Sequence, residues 1–432
     1  MRFSWWKQAL LDLTVLAFIP LFVIAALWPA RHRKSYIWGT VPVICMRYWS
    51  QAVKAMGLDS FTVMTGTQAF DARSQFDKYF EDFTPSFLPA RLRWLLGMNL
   101  ALLTTLRRAR VVHLTFFGFA LGPSNLWWIE SYLFRMAGIK TIIIPYGADG
   151  YMVSALTDTT LRYGLLAARP EFARAEYKTK RKTTHWMKHV DIIVSSWMVE
   201  GLGRWDVTVH QPRVVDTDSW LAKTSYSAND GRNGPVKVVH APSSRRFKGT
   251  EFVIDAVAQL QAQGLQVELI LLENLPNEAI RQRLREGDVM VEQVFFTGYA
   301  ISALEGLASG LPMICNLDHE AYTRVFRRVS FLDECPVVSA TPEGLARTLR
   351  VLVTNPELRE TLGRASREFA EKYHSYATAQ FMFGAIYDKI LHGKDVELIT
   401  LYHPLLSEFN QRLPTIKHPL IDSKLPSEFF GD

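Results

Sequence analysis

The chain has 432 residues, enough for two or three domains at about 100 to 200 residues each. With 48% hydrophobic and 21% charged residues, it has the composition of a folded globular protein, which excludes a disordered or fibrous one. The net charge of +7, with 12 Trp and 26 Phe, predicts a surface that meets something apolar and anionic, such as an acidic-lipid membrane. Nucleic acid would explain only the charge and is not expected as a partner.

Three cysteines, Cys45, Cys315 and Cys335, lie far apart in the chain. Their spacing matches neither a disulfide framework nor a zinc site, which favours a reducing compartment.

An apolar segment near the N-terminus predicts a membrane anchor over residues 1–34. Leu13–Trp28 contains no charged residue, and extending it back to Ala9 gives about the 20 residues that a spanning helix needs. Basic residues cluster at 31–34, so the positive-inside bias predicts that the following chain lies at the cytoplasmic face of an inner membrane.

Other interpretations of this segment stay open. A cleaved signal peptide is disfavoured by Trp28-Pro29 and the basic cluster, which make a poor cleavage site. A monotopic or interfacial helix kinked at Pro20 fits the same residues. So does a helix buried in a core.

Alternating strands and helices follow the anchor. A strand and its following loop are predicted over 35–45. The other predicted strands are 60–64, 111–116, 140–147 and 191–196 in the first half, and 236–242, 266–273 and 312–315 in the second. The turn-rich run Ser227–Pro235 separates the halves. This pattern predicts an α/β chain with two Rossmann-like domains. The predicted ranges are 35–210 and 211–376, with a crossover helix at 377–392 and a C-terminal tail at 393–432.

The stretch HAPSSRRFKGTEF, residues 240–252, has the residue types of a phosphate-binding turn. A strand ends at a proline, a polar loop carries Arg245, Arg246 and Lys248, and Gly249 opens a helix. Guanidinium and ammonium groups bind phosphate oxygens, and a helix start adds backbone N–H groups and a positive dipole end. An ordinary turn with solvated charges fits these residues equally well.

A second segment, ISALEGLASGLPMI at residues 301–314, reads as a helix followed by a strand. Glu305 near the start of this helix is a candidate to accept hydrogen bonds from a ribose diol. An acidic residue that complements the helix dipole is the alternative.

With VVDTDSW at residues 214–220, these segments occur in an order and spacing that resemble the GT-B retaining glycosyltransferases. The resemblance extends over about residues 190–390 and implies two domains facing each other across a cleft. It implies Arg245 and Lys248, with Arg246 and Gly249 beside them, as diphosphate-binding residues, and Glu305 as the ribose ligand. Residues 288–293, DVMVEQ, resemble the segment that enters this site. Thr297 and Ala300 stand where many members have Glu and Gly.

Two residues of the first half are candidates for catalysis. Asp149, in the loop PYGADGY, could orient an acceptor hydroxyl or help to remove its proton. An Asp that caps a Gly-rich turn is the alternative. His113, at a predicted strand end, ranks below it because most such histidines belong to the core. Tyr146 stands where the family often has a histidine.

The predicted function is a hexosyltransferase that moves a sugar from a nucleotide-diphosphate donor to a saccharide acceptor, expected to be lipid-linked, in surface polysaccharide or glycoconjugate synthesis. Retention of configuration is implied by the resemblance. No cofactor or metal is expected, because Arg and Lys can neutralise the departing diphosphate, and Asp216-Thr217-Asp218 is interpreted as structural. The alternatives are an epimerase-like enzyme or an inactive membrane scaffold of the same fold. The basic segments 91–112 and 175–189 are candidates to lie on an anionic membrane.

Overall fold

A computed structural model describes residues 5–66, 73–195, 201–275, 277–412 and 414–431. The strands are β1 (Ser35–Thr40), β2 (Ser60–Met64), β3 (Lys78–Tyr79), β4 (Ala109–Leu114), β5 (Lys140–Ile143), β6 (Ile192–Ser195), β7 (Val207–Thr208), β8 (Val236–His240), β9 (Val267–Leu271), β10 (Val289–Val291), β11 (Met313–Cys315) and β12 (Val338–Ser339). The helices are α1 (Trp5–Ala26), α2 (Ile44–Lys54), α3 (Ala90–Arg108), α4 (Ile129–Met136), α5 (Thr159–Ala168), α6 (Pro170–Arg174), α7 (Glu176–His189), α8 (Arg245–Lys248), α9 (Thr250–Ala262), α10 (Asn277–Glu286), α11 (Ile301–Ala308), α12 (Glu320–Val329), α13 (Leu345–Thr354), α14 (Pro356–Tyr373), α15 (Tyr376–His392) and α16 (Glu408–Arg412).

The first compact unit comprises Met1–Met152, Ala175–Val207 and Ala379–Ile399. Its seven-stranded sheet has the order β3-β2-β1-β4-β5-β6-β7, and β1 pairs in parallel with both β2 and β4. Ile37, Val112 and Ile143 on neighbouring strands are almost fully buried. Such continuous apolar strands are typical of a parallel sheet covered on both faces.

The second compact unit comprises Val153–Arg174, Thr208–Thr378 and Thr400–Asp432. Its five-stranded sheet has the order β12-β11-β10-β8-β9, with the described pairs all parallel. The core contains Val236, Val238, Val289 and Ile314. The predicted α/β class with two parallel sheets is therefore confirmed.

The strand order creates a switch point in the second sheet. β8 lies between β9, which follows it in sequence, and β10, which is reached by a connection to the other side. At such a point the two connections leave the sheet in opposite directions, which opens a crevice beyond the carboxyl ends of the strands. Two segments start at this edge: residues 241–249, which follow β8, and residues 292–300, which follow β10.

The structure differs from the sequence interpretation in some details. The polar loop after β8 contains the short helix α8, which ends at Gly249 with a φ of +75°. Residues 153–174, which lie inside the range predicted for the first domain, group with the second unit. By contrast, α15 corresponds in position to the predicted crossover helix at 377–392. It lies against the first sheet, where Phe383 packs edge-on to Trp38 and Tyr387 packs against Tyr36.

Among the described residues, α1 is the one helix that is long and apolar enough to cross a membrane, by length and composition alone. It packs on α3 and α4 and contributes Leu11, Val15 and Phe22 to the core of the first unit. α3 is largely covered, because Met98, Leu102 and Leu106 are fully buried.

Candidate functional site

Lys248 is the buried cation of the second unit's crevice. It ends α8, and its Nζ donates hydrogen bonds to Glu292 Oε1 and, at 2.8 Å, to Gln293 Oε1. The Lys248 side chain is 7% exposed and that of Glu292 is fully buried. A buried ion pair is tolerated only with further hydrogen bonds on both partners, and these are present.

Glu292 connects three elements around this lysine. It follows β10 and accepts hydrogen bonds from Ser302 Oγ at 2.8 Å and from the backbone N–H of Ala300 at 3.4 Å, both at the start of α11. Gln293 Nε2 donates to the carbonyl of Gly298 at 2.5 Å. Lys248, the end of β10 and the start of α11 thus form one polar network, and residues 288–293 do enter this region.

The two arginines beside Lys248 face solvent. Arg245 forms ion pairs with Glu251 at 2.9 Å and with Glu273 at 3.0 Å. Arg246 Nη1 donates to the carbonyl of Ala167 at 3.3 Å. An anion that binds Arg245 therefore competes with two carboxylates for its N–H groups.

Gly249 allows the tight connection between α8 and α9. Its φ of +75° is favourable only for glycine, and an added Cβ would meet Val294 Cγ2 at 3.0 Å. The next residue, Thr250, shares a hydrogen bond of 2.8 Å with His240 Nε2, and His240 Nδ1 lies 2.7 Å from the carbonyl of Val291. These contacts fix the turn against β8 and β10.

Glu305 is a second buried acid of the same region. It is the fifth residue of α11, and the first turn of this helix contains no acidic residue, so it lies beyond the turn where an acid complements a helix dipole. Burial raises its pKa to about 8, Arg281 opposes this shift, and Glu292 adds to it. Below that pH the side chain is mostly a neutral acid.

Asp149 lies in the first unit, near the end of β4. Its carboxylate accepts hydrogen bonds from the backbone N–H groups of Phe116 at 3.0 Å, Tyr146 at 3.0 Å and Gly147 at 3.1 Å. Burial raises its pKa to about 6, although these hydrogen bonds favour the charged form. Asp149 joins the loops that follow β4 and β5, as expected of an Asp that holds a Gly-rich turn.

His113 is fully buried within the first unit. Its ring stacks on Trp38 with centroids 3.5 Å apart, its Nε2 lies 2.8 Å from the hydroxyl of Tyr387, and its Nδ1 lies 3.3 Å from the carbonyl of Ile37. Burial lowers its pKa to about 3, so the ring is neutral at physiological pH. These contacts are those of a core histidine.

A buried acid that the sequence interpretation missed lies in the first turn of α4, next to the loop that follows β4. Glu130 accepts hydrogen bonds from the backbone N–H groups of residues 119–121 at 2.5 to 2.8 Å. Burial raises its pKa to about 7. Lys182 of α7 donates to the carbonyl of Gly122 at 2.8 Å and interacts with Glu130. Nothing in the local pattern marks Glu130, because its partners lie in a loop without regular periodicity.

Asp216 has a local structural role. It accepts hydrogen bonds from Ser219 Oγ at 2.6 Å and from the backbone N–H of Asp218 at 3.2 Å. Within the described ranges, no three His, Cys, Asp or Glu side chains come together as a metal-ion site. That the protein works without metal or cofactor stays a prediction.

Solved structures resemble this architecture, whereas no protein-family model and no curated protein matches the sequence. Sucrose-phosphate synthase from Thermosynechococcus elongatus superposes with a TM-score of 0.53 at 13% identity, over 84% of this chain and 100% of that one. The two α/β units have the GT-B fold. WaaG, a glycosyltransferase involved in lipopolysaccharide biosynthesis, has a TM-score of 0.42 at 13% identity, over 80% of this chain and 97% of its own. S. aureus MnaA, solved with UDP, has a TM-score of 0.42 at 12% identity, over 85% and 98%.

At these identities the similarity establishes the GT-B fold alone. Lys248, Gly249 and Glu305 of this GT-B chain belong to its second α/β unit, whereas Asp149 and His113 belong to the first. The reaction has to be argued from the residues themselves.

Proposed function

We propose that the protein is a glycosyltransferase that moves a sugar from a nucleotide-diphosphate donor to a saccharide acceptor. The observation that carries this proposal is the network of Lys248, Glu292 and Ser302 at the switch point of the second sheet, with Glu305 on the same helix as Ser302. Open α/β sheets bind ligands at this position. A buried cation and a buried acid there supply one partner for a phosphate and one for a ribose.

The diphosphate is proposed to bind beside Lys248 and Arg245. Nζ of Lys248 carries three N–H donors, of which two are directed at Glu292 and Gln293, so a third can reach a phosphate oxygen. Arg245 is 41% exposed on its side chain and can exchange a carboxylate for a phosphate. Positive charge at the leaving diphosphate stabilises the transition state because negative charge develops there.

The ribose is proposed to bind at Glu305. An ionised carboxylate accepts hydrogen bonds from two adjacent hydroxyls much more strongly than the neutral acid does, and the pKa of about 8 means that a ligand has to stabilise the ionised form at neutral pH. Donor binding is therefore coupled to loss of a proton from Glu305.

The acceptor side is proposed to use the loop that Asp149 organises. With a pKa of about 6, Asp149 is mainly ionised at neutral pH, the form required of a group that orients or deprotonates a hydroxyl. It is only 2% exposed, which favours positioning of the 145–151 loop over direct proton transfer. For His113, burial and a saturated set of contacts favour a packing role.

Retention of configuration and a lipid-linked acceptor complete the proposal. Retention rests on the resemblance of the 240–252 and 301–314 segments. The lipid-linked acceptor rests on α1, which could hold the protein at a membrane.

A second candidate, an inactive scaffold with the same fold, is favoured by one observation. Lys248 is paired with Glu292, and Arg245 is paired with Glu251 and Glu273. Carboxylates therefore already satisfy both cations that would hold the diphosphate.

The two candidates differ in turnover. The full-length protein in detergent is incubated with UDP-, GDP-, ADP- and TDP-linked sugars and a lipid-linked saccharide extract, and nucleoside diphosphate release and acceptor mass are measured. A transferase releases the diphosphate from one donor class and extends an acceptor, and Glu305→Gln abolishes this. Glu320→Gln, at a side chain that is 75% exposed on α12, is the matched control and keeps full activity. If one donor binds but none is turned over, the protein is an inactive scaffold and the transferase proposal is wrong.

A further inference from the structure

The helix α1 is apolar on its outer face as well as on the face that packs on the first unit. Large apolar side chains lie along its outer face and just beyond its last residue, three or five residues apart, and are 46 to 68% exposed: Leu10, Leu13, Leu16, Leu21, Ile24 and Leu27. Its polar side chains point to the first unit instead, where Gln8 donates to the carbonyl of Pro123 and Asp12 accepts from Asn125. An outward apolar stripe of this length is typical of a surface that contacts lipid or another protein.

Polar contacts fix α1 to the first unit at both ends. The carboxylate of Asp12 accepts from Ser124 Oγ at 2.7 Å, from the backbone N–H of Asn125 at 2.9 Å and from Asn125 Nδ2 at 2.8 Å. At the other end, buried Arg33 donates to the carbonyls of Ala25 and Ala26, the last two residues of the helix, and to that of Leu106 on α3. A charged guanidinium thus satisfies carbonyls that a helix end leaves open.

A crossing orientation conflicts with these contacts. To span a bilayer, α1 would have to leave the unit and expose the places now filled by Leu11, Val15 and Phe22, all at most 3% exposed. It would also take Asp12, in its first half, into the hydrocarbon without its hydrogen-bond partners. A charged side chain is unfavourable there.

Tryptophan and basic residues lie at both ends of the stripe. The ammonium of Lys7 lies 5.3 Å from the ring centre of Trp6, and the guanidinium of Arg107 lies 4.6 Å from that of Trp28. Such pairs are characteristic of the headgroup level of a membrane.

A basic and aromatic surface continues from residues 123–125, to which α1 is bound. Trp128 and Tyr132 of α4 are 39% and 46% exposed. On the neighbouring α7, Lys178, Lys180, Arg181 and Lys188 are exposed, and Arg181 lies over the ring of Trp127. The charge complements anionic headgroups, and the rings suit the boundary between headgroups and acyl chains.

We propose that α1 lies in the plane of one leaflet of an anionic membrane, with its leucine stripe in the acyl region, and does not cross the bilayer. α4 and α7 contact the headgroups beside it. Both ends of α1 are then on the same side of the membrane as the two α/β units. This proposal does not depend on the transfer reaction.

Labelling of the two helix ends tests the orientation. Lys7→Cys and Arg31→Cys, both at exposed positions, are made singly in the full chain, where Cys45, Cys315 and Cys335 are buried and serve as the unlabelled background. A membrane-impermeant maleimide is applied to right-side-out and to inverted vesicles of expressing cells. The two variants are expected to label in the same vesicle type. Labelling in opposite types would show that α1 crosses and would overturn the proposal.

Vesicle binding tests the lipid partner. With purified chain, flotation on vesicles that contain phosphatidylglycerol should fall at least about tenfold for Leu13→Glu and for Ile24→Glu, because each puts a charge into the acyl region. Leu405→Glu, at a 77% exposed leucine of the second unit, is the matched control and should not change binding. Vesicles without anionic lipid should bind less well, by about fivefold for each basic residue near the surface.

A second copy of the chain is the competing occupant of the stripe. It would give a dimer that Leu13→Glu converts to a monomer, with vesicle binding unchanged, and this result would overturn the proposal. Both glutamate variants replace exposed side chains, so near-ultraviolet circular dichroism should match that of the unmodified chain.

Discussion

Glu305 is expected to make donor binding depend on pH. Its pKa of about 8 in the free protein results mainly from burial, with a further contribution from Glu292. The neutral acid dominates below pH 8, whereas a ribose diol that donates two hydrogen bonds binds far better to the carboxylate. Donor binding should therefore release a proton at neutral pH, and the affinity should rise with pH until it levels off above the pKa.

The size of the effect follows from the ionised fraction. With a pKa of about 8, about one molecule in a hundred carries the Glu305 carboxylate at pH 6 and about half do so at pH 8. The dissociation constant of the donor should thus fall about fiftyfold over this range, which is about 2.3 kcal/mol of binding free energy. The diphosphate diester of a sugar nucleotide stays ionised throughout, so it adds no dependence of its own.

Isothermal titration calorimetry at several pH values measures both quantities. Titrations in two buffers with different ionisation enthalpies give the number of protons released. Glu305→Gln should bind the donor weakly and with the same affinity at pH 6 and pH 8. A flat profile for the unmodified protein, or the same slope in Glu305→Gln, would refute the assignment of the ribose to Glu305.

Three further predictions concern the buried polar groups. Lys248→Met should lower the free energy of unfolding by about 3 to 5 kcal/mol, because it leaves the Glu292 charge unpaired, and adding Glu292→Leu should restore stability in urea titrations but not donor binding. Glu130→Ala removes the acceptor of three buried N–H groups and should cost about 3 kcal/mol or more, seen as a lower urea midpoint; an unchanged midpoint would contradict this role. The pKa of Asp149 is raised from 3.8 to about 6, so the neutral form stabilises the folded protein at low pH. This stabilisation, up to about 3 kcal/mol, should be lost as the pH rises from 4 to 6. Asp149→Asn should abolish this pH dependence of the unfolding free energy and leave donor affinity unchanged.

Much of the fold can be predicted from the periodicity of hydrophobic residues in the sequence. β2 has the predicted bounds, because a short run of β-branched and apolar residues identifies a strand. The strands β3 and β7 cannot be predicted in this way, because two residues are too few to show the alternation of apolar and polar side chains that marks a strand. The glycine after Lys248 has the positive φ that a helix-ending turn needs.

The site is only partly contained in local sequence. Lys248 and Glu305 could be singled out because each lies in a segment with recognisable spacing. The burial of Lys248 against Glu292 could not be predicted from local sequence, because the two residues are 44 positions apart. Only the parallel pairing of β8 with β10 brings them together. The network around Glu130 was missed for another reason: its donors, residues 119–121, lie in a loop without regular periodicity, whose shape depends on the carboxylate it surrounds.

The orientation of α1 is also a tertiary property. Leucine at almost every turn makes the segment apolar all round, so composition alone cannot distinguish a spanning helix from a docked one. Asp12 and Arg33 decide between them, because each is bound by groups of the first unit.

The most direct test of the central claim is a thermal-shift titration of the full-length protein with UDP-, GDP-, ADP- and TDP-linked sugars. A donor that binds the folded state at 100 times its dissociation constant stabilises it by about 2.7 kcal/mol. We predict that one nucleotide class raises the melting temperature, that Lys248→Ala and Glu305→Ala each abolish the shift, and that Glu320→Gln keeps it. No shift with any sugar nucleotide, or an equal shift in the two alanine variants, would contradict a donor site at Lys248 and Glu305.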